Sequence, residues 1–193
     1  MQSSEQPVLR DLVLVGGGHS HVVVLKNFGM KPLPGVRLTV ICTDMHTPYS
    51  GMLPGYVAGR YDYDAVHIDL SRLAVFAGAR LYRDEVIGLD RVNRKVLCRN
   101  RPPVPYDVLS INIGPQPHRE AVERAMPGAR EHGLFVPPLE SFVSMWPKVC
   151  DMGRSRALRV AVVGHCTMGF ELALAVRQRM PTAAVTWVPA PQE

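Results

Sequence analysis

Leu12-Val13-Leu14-Val15-Gly16-Gly17-Gly18-His19-Ser20-His21 is the stretch that decides the fold. Its four leading apolar residues read as a strand buried on both faces, the habit of a parallel sheet. Three glycines follow, and over residues 19–28 the apolar positions recur at helical spacing. Strand, Gly-x-Gly, helix is the turn with which a doubly wound α/β fold receives the pyrophosphate of a dinucleotide. The first glycine makes the tight bend, the second admits the ligand close to backbone, and the third lets helix and strand approach. The helix start adds unpaired N–H groups and a partial positive charge. Gly16 and Gly18 fill the first two places, and His21 stands at the third. The turn alone leaves open an ordinary glycine-rich connection in another doubly wound protein. His19 and His21, two apart, do not share a helix face as i, i+4 metal ligands do, so no metal site is expected.

Outward from this turn, residues 36–42 form a second apolar strand and complete a β-α-β unit. In dinucleotide folds an acidic residue near the end of that strand takes the ribose hydroxyls. No carboxylate stands at Cys42, and Asp44 is the nearest substitute. Residues 47–55 are too rich in Pro and Gly for a long helix before Met52, and a short one is expected to about residue 59. Strands are expected over 80–89 and 95–99, around a turn at 90–94, and over 106–113 before Gly114-Pro115. Residues 115–138 read as a linker or irregular excursion, and 139–152 as a helix that Pro147 interrupts or kinks. Residues 158–164 repeat the opening pattern, an apolar strand ending in Gly164; a helix over 169–180 and a strand over 183–188 follow. The fold class is therefore α/β and Rossmann-like, with two β-α-β starts. The divisions expected are 1–115, a linker with helix over 116–157, and a second nucleotide-binding start over 158–193.

Composition narrows the function classes. The 193 residues carry a net charge of +5, but Lys and Arg are scattered, which fits a solvated surface better than a nucleic-acid site. No apolar run approaches the roughly 18 residues of a membrane span, and the first seven residues have no signal-peptide character, so a cytoplasmic location is expected. The four cysteines form no C-x-x-C pair, which argues against a zinc knuckle or a local redox dithiol and for reduced, mostly buried thiols.

At Gly16-Gly17-Gly18-His19-Ser20-His21 and Thr47-Pro48-Tyr49-Ser50-Gly51-Met52-Leu53-Pro54-Gly55, the sequence resembles the pyridine nucleotide-disulphide oxidoreductase superfamily, in its type II NADH dehydrogenase-like branch. It is similar in particular to the FAD-containing module found fused to selenide, water dikinase. The second stretch is the more specific one. The likeness continues through residues 84–90 and 106–114, covers about 8–188, and is strongest up to 115. It implies an FAD-dependent oxidoreductase that takes hydride from NAD(P)H and passes electrons to a small-molecule acceptor such as a quinone. The cofactor carries the redox chemistry, so no catalytic acid, base or nucleophile has to be found.

The resemblance also implies site residues. Gly16, Gly17, Gly18, His19, Ser20 and His21 would hold the FAD pyrophosphate, with Asp44 toward the ribose and backbone near Val86 at the adenine. Pro48, Tyr49, Ser50, Gly51 and Gly114 would lie on the flavin side. Gly164, Cys166, Gly169 and Glu171 would open the NAD(P)H site, with Cys166 where the family usually has glycine; its Cβ would crowd the pyrophosphate. The family's polypeptide returns after the NADH domain to finish the FAD domain, and no such return is present, so the C-terminal part reads as missing. Little NADH oxidation is then expected from residues 1–193 alone. The alternative reading is a truncated, catalytically idle nucleotide-binding module. The resemblance admits a homodimer and peripheral membrane contact, without a transmembrane segment or a nucleic-acid partner.

Overall fold

The computed structural model describes residues 7–115, 119–164 and 166–189. Along the chain run β1 (Arg10–Val15), α1 (His19–Met30), β2 (Val36–Cys42), β3 (His46–Pro48), α2 (Leu53–Val57), β4 (His67–Asp69), α3 (Leu70–Phe76), β5 (Arg80–Arg83), β6 (Val86–Asp90), β7 (Lys95–Cys98), β8 (Val104–Pro105), β9 (Val108–Ile111), α4 (Arg119–Ala125), α5 (Ala129–His132), α6 (Leu139–Ser155), β10 (Arg159–Val163), α7 (Thr167–Arg179) and β11 (Ala184–Val188). The chain divides into two compact units. One takes the residues up to Thr47 together with Ile68–Gly114, and the other takes Pro48–His67 with Pro115 onward.

The first unit is built on a four-stranded parallel sheet in the order β5-β2-β1-β9. Alternation along the strands splits the core between its faces. Leu14, Leu38, Val40 and Cys42 pack with Leu25 of α1 and Leu70 of α3. Val13, Val15 and Ile41 face the other way and pack with Val96, Cys98 and Val104 of the antiparallel sheet β6-β7-β8. Helices therefore cover one face and a small meander the other.

The strand expected over 80–89 is two strands in two sheets. Arg80–Arg83 pairs with β2, and Val86–Asp90 pairs with β7. The break falls at Asp84, whose carboxylate is buried. It accepts from the Glu85 N–H at 2.8 Å, from the Asn100 N–H and side-chain amide at 3.2 Å, and from Arg101 Nε at 3.1 Å. Burial raises this carboxyl's pKa, and those hydrogen bonds outweigh it, leaving the pKa below the usual carboxylate range.

The second unit holds the parallel pair β10–β11, with α7 against both strands. The sequence reading kept residues 48–67 with the first domain. In the structure Leu53, Tyr56, Val57 and Val66 are buried in the second unit's core with Phe142, Val143, Trp146, Leu172 and Val176. The stretch expected to be irregular carries α4 and α5. Pro147 lies inside α6 and does not end it. A mid-helix proline removes one backbone donor, and the carbonyl so orphaned is served by the Tyr56 hydroxyl.

Candidate functional site

The glycine turn sits where β1 ends, between β2 on one side and β9 on the other. Counted along the chain, the parallel strands are β1, β2, β5 and β9, so the order reverses direction at β1. Ligands of open α/β sheets bind outside the carboxyl ends of the strands at such a switch point. Gly16 continues the ladder by donating to Ile41 O at 2.8 Å, and Gly18 donates to Asn112 O at 3.1 Å. Asp84 donates its N–H to Cys42 O at 3.0 Å, and Asn112 follows the end of β9. Gly16–His21, Asp44 and Gly114 thus follow the carboxyl ends of strands of one sheet, whereas Val86 opens β6 of the antiparallel sheet.

The turn leaves backbone donors open at a helix start. α1 starts on Gly18 with no side-chain cap and no acidic residue in its first turn. Among the described residues, neither the Gly17 nor the Ser20 N–H has an acceptor. Gly16 has φ +95°, and a Cβ there would collide with the Asn112 carbonyl, so only glycine serves. The reason for the other two glycines is partly internal. A Cβ on Gly17 would strike Leu70, and one on Gly18 would strike the Asn112 side chain, which donates to Ser20 Oγ at 2.8 Å. Asn112 was missed in the sequence because nothing local marks a residue 92 positions beyond Ser20 as the back wall of the turn.

His21 is 1% exposed. Its Nδ1 lies 2.7 Å from Gly16 O and its Nε2 2.9 Å from Ser110 Oγ. Both ring nitrogens are engaged inside the protein, so His21 does not touch a ligand directly, while His19 and Ser20 are exposed at the helix start. Asp44 is exposed just beyond β2, and its carboxylate accepts from Thr43 Oγ1 at 2.9 Å. Val86 is half-buried against Val96 and Cys98. Gly114 has φ +74° with open space where a Cβ would go, so backbone conformation alone selects glycine.

The remaining candidates belong to the second unit. Pro48 and Tyr49 lead into a short 3-10 turn, Ser50–Met52, that is stitched by Tyr49 N–H to Val66 O at 2.8 Å and by Met52 N–H to Tyr49 O at 3.0 Å. A Cβ on Gly51 would stand 2.8 Å from the Tyr49 ring, so Gly51 makes room for that ring. Gly164 follows β10, and Cys166, exposed, is the N-cap of α7. Gly169 is buried, and a Cβ there would stand 3.1 Å from Gly164 O. That is the close helix–strand approach assigned to a third glycine. Trp187 Nε1 donates to Gly164 O at 2.9 Å. Glu171 lies exposed on α7.

The chain is 27% identical over 180 residues to the NADH dehydrogenase-like protein YutJ of Bacillus subtilis (strain 168), a match spanning 88% of this chain and 46% of that protein. It resembles sulfide:quinone oxidoreductase from the hyperthermophilic bacterium Aquifex aeolicus with a TM-score of 0.73 and 16% identity, over 93% of this chain and 43% of the other. NDH2 from Plasmodium falciparum, in complex with NADH, gives a TM-score of 0.73 at 15% identity, over 92% and 41%. This is the fold of the pyridine nucleotide-disulfide oxidoreductases. No protein-family model matches the sequence. The chain spans less than half the length of these oxidoreductases. Among the described residues no helix is long and apolar enough to cross a membrane.

Proposed function

We propose that the chain binds FAD at the Gly16–His21 turn and is part of an FAD-dependent NAD(P)H oxidoreductase that delivers electrons to a small-molecule acceptor such as a quinone. The observation that carries this reading is the glycine turn at the sheet's switch point, with two N–H groups that have no acceptor among the described residues at an uncapped helix start. These residues fit a pyrophosphate: Gly17 and Ser20 offer donors, and no carboxylate stands in the first turn to repel it. Asp44, exposed past β2, suits the ribose hydroxyls. Bound flavin would supply the hydride-accepting chemistry, and the protein's task is to hold and orient it. Gly164, Cys166, Gly169 and Glu171 belong to the NAD(P)H half of the reading. The domain reading that goes with it places FAD on the first β-α-β start and NAD(P)H on the second.

Cys166 supports a second reading, an idle nucleotide-binding module, because its Cβ occupies the place where a pyrophosphate would approach α7. Calorimetric titration with FAD, FMN and NADH separates the two. Tight FAD binding, weak FMN binding and measurable NADH binding are expected; FAD without NADH leaves the idle module, and no FAD binding refutes the proposal. Asp44→Ala is expected to weaken FAD by about 1–3 kcal/mol, the scale of a hydrogen bond to a charged group.

A further inference from the structure

We infer that His21 is a positioning residue that aims the Gly17 N–H at the dinucleotide's pyrophosphate; this rests on the FAD reading above and deepens it. The Gly16 carbonyl and the Gly17 N–H belong to one peptide plane, and in a trans peptide they point in opposite directions. Whatever holds the carbonyl therefore sets where the N–H points. His21 Nδ1 lies 2.7 Å from that carbonyl, which can only accept, so Nδ1 donates. The other ring nitrogen, Nε2, hydrogen-bonds to the Ser110 hydroxyl 2.9 Å away, which stops the ring from rotating. With the Gly16 N–H on Ile41 O and the Gly18 N–H on Asn112 O, the flanking peptides are tied to β2 and to the residue after β9. The Gly17 N–H has no acceptor among the described residues, and its orientation is fixed by the bonds on either side of it.

The second turn carries the same device from another place. There the third position is Gly169, and the first glycine's carbonyl is held by the Trp187 indole N–H at 2.9 Å. Both turns thus lock the first glycine's carbonyl with a ring N–H. The first does so from the position where the dinucleotide motif expects glycine. Restoring glycine at 21 would satisfy the motif and undo the lock.

The test compares FAD dissociation constants by flavin fluorescence for His21→Asn, His21→Gln and His21→Gly, at a temperature where circular dichroism shows each variant folded. The Asn amide nitrogen superposes on Nδ1 and keeps the bond to Gly16; the Gln amide superposes on Nε2 and keeps only the bond to Ser110. His21→Asn is expected within about threefold of wild type, and His21→Gln and His21→Gly about tenfold or more weaker, the loss of one hydrogen bond's orienting effect. The Gly17 amide resonance should shift on FAD addition in wild type and His21→Asn. Equal losses for Asn and Gln, or a His21→Gly protein that binds as wild type, overturn the inference. Ser110→Ala covers the event that His21→Gln fails to fold: it spares the Gly16 bond but frees the ring to turn, so it should weaken FAD less than His21→Gly does, and a loss as large as that of His21→Gly overturns the inference. A wild-type chain that binds no FAD refutes the parent reading instead, and is told apart by needing no variant.

Discussion

The Tyr56 hydroxyl donates to the Val143 carbonyl across 3.0 Å, and that carbonyl is the one Pro147, four residues on, leaves without a helical donor. The bond is buried, and burial chiefly keeps the Tyr56 phenol above its ordinary pKa. A side chain from a five-residue helix thus repairs the ladder of α6 from outside. It explains how α6 continues through a proline to Ser155.

Tyr56→Phe should cost about 1–3 kcal/mol, because it strands a buried acceptor. Pro147→Ala returns the missing N–H, so it should stabilise the Tyr56→Phe protein more than the wild type. A urea-denaturation double-mutant cycle measures the difference. Equal effects of Pro147→Ala in both backgrounds would show that the two residues are not coupled.

Gly18→Val should abolish FAD retention. The structure names the first obstacle as the Asn112 side chain, which a Cβ on residue 18 would strike. Asn112→Ala in the Gly18→Val background should therefore recover part of the binding, read as flavin retained through gel filtration. If the double variant recovers none, the added side chain blocks the phosphate itself.

Tyr63 should ionise late. Its hydroxyl donates to Glu140 at 2.8 Å, and that hydrogen bond first, then burial, pushes its pKa from 10.0 up to about 12. The folded state thus holds the phenolic proton more tightly than the unfolded chain does. The resulting stabilisation is complete below about pH 10 and is lost as pH rises toward 12. Ultraviolet titration of tyrosinate should show one slow group that disappears in Tyr63→Phe and moves earlier in Glu140→Gln. An unchanged curve for Glu140→Gln would remove the carboxylate as the cause.

Of the four cysteines, Cys42, Cys98 and Cys150 are buried and Cys166 is exposed. Burial first, with Asp44 nearby, pushes the Cys42 thiol up to about 11, so little thiolate exists there at neutral pH. A thiol reagent should label one cysteine in the native protein, lost in Cys166→Ser, and four after denaturation. Rapid native labelling of Cys42 would contradict its burial.

The sequence by itself determined β1, the glycine turn, α1 and β2, whose expected and observed bounds agree closely, with α1 running two residues longer. It likewise determined β10, α7 and β11 to within two or three residues. Apolar periodicity and glycine punctuation are local signals, and the sheet's parallel class follows from them. Tertiary structure alone decided the rest, because the deciding partners are far apart in sequence. Asp84 needs Asn100 and Arg101 to break the expected 80–89 strand in two. Residues 48–67 join the second unit because Tyr56 and Val66 bury against Phe142 and Trp146. His21 reads in the sequence as a missing glycine, and becomes the brace of the turn only when β9 brings Ser110 beside it, 89 residues away. A hydrogen bond needs its partner within about 3 Å, and over such separations only the folded chain supplies it.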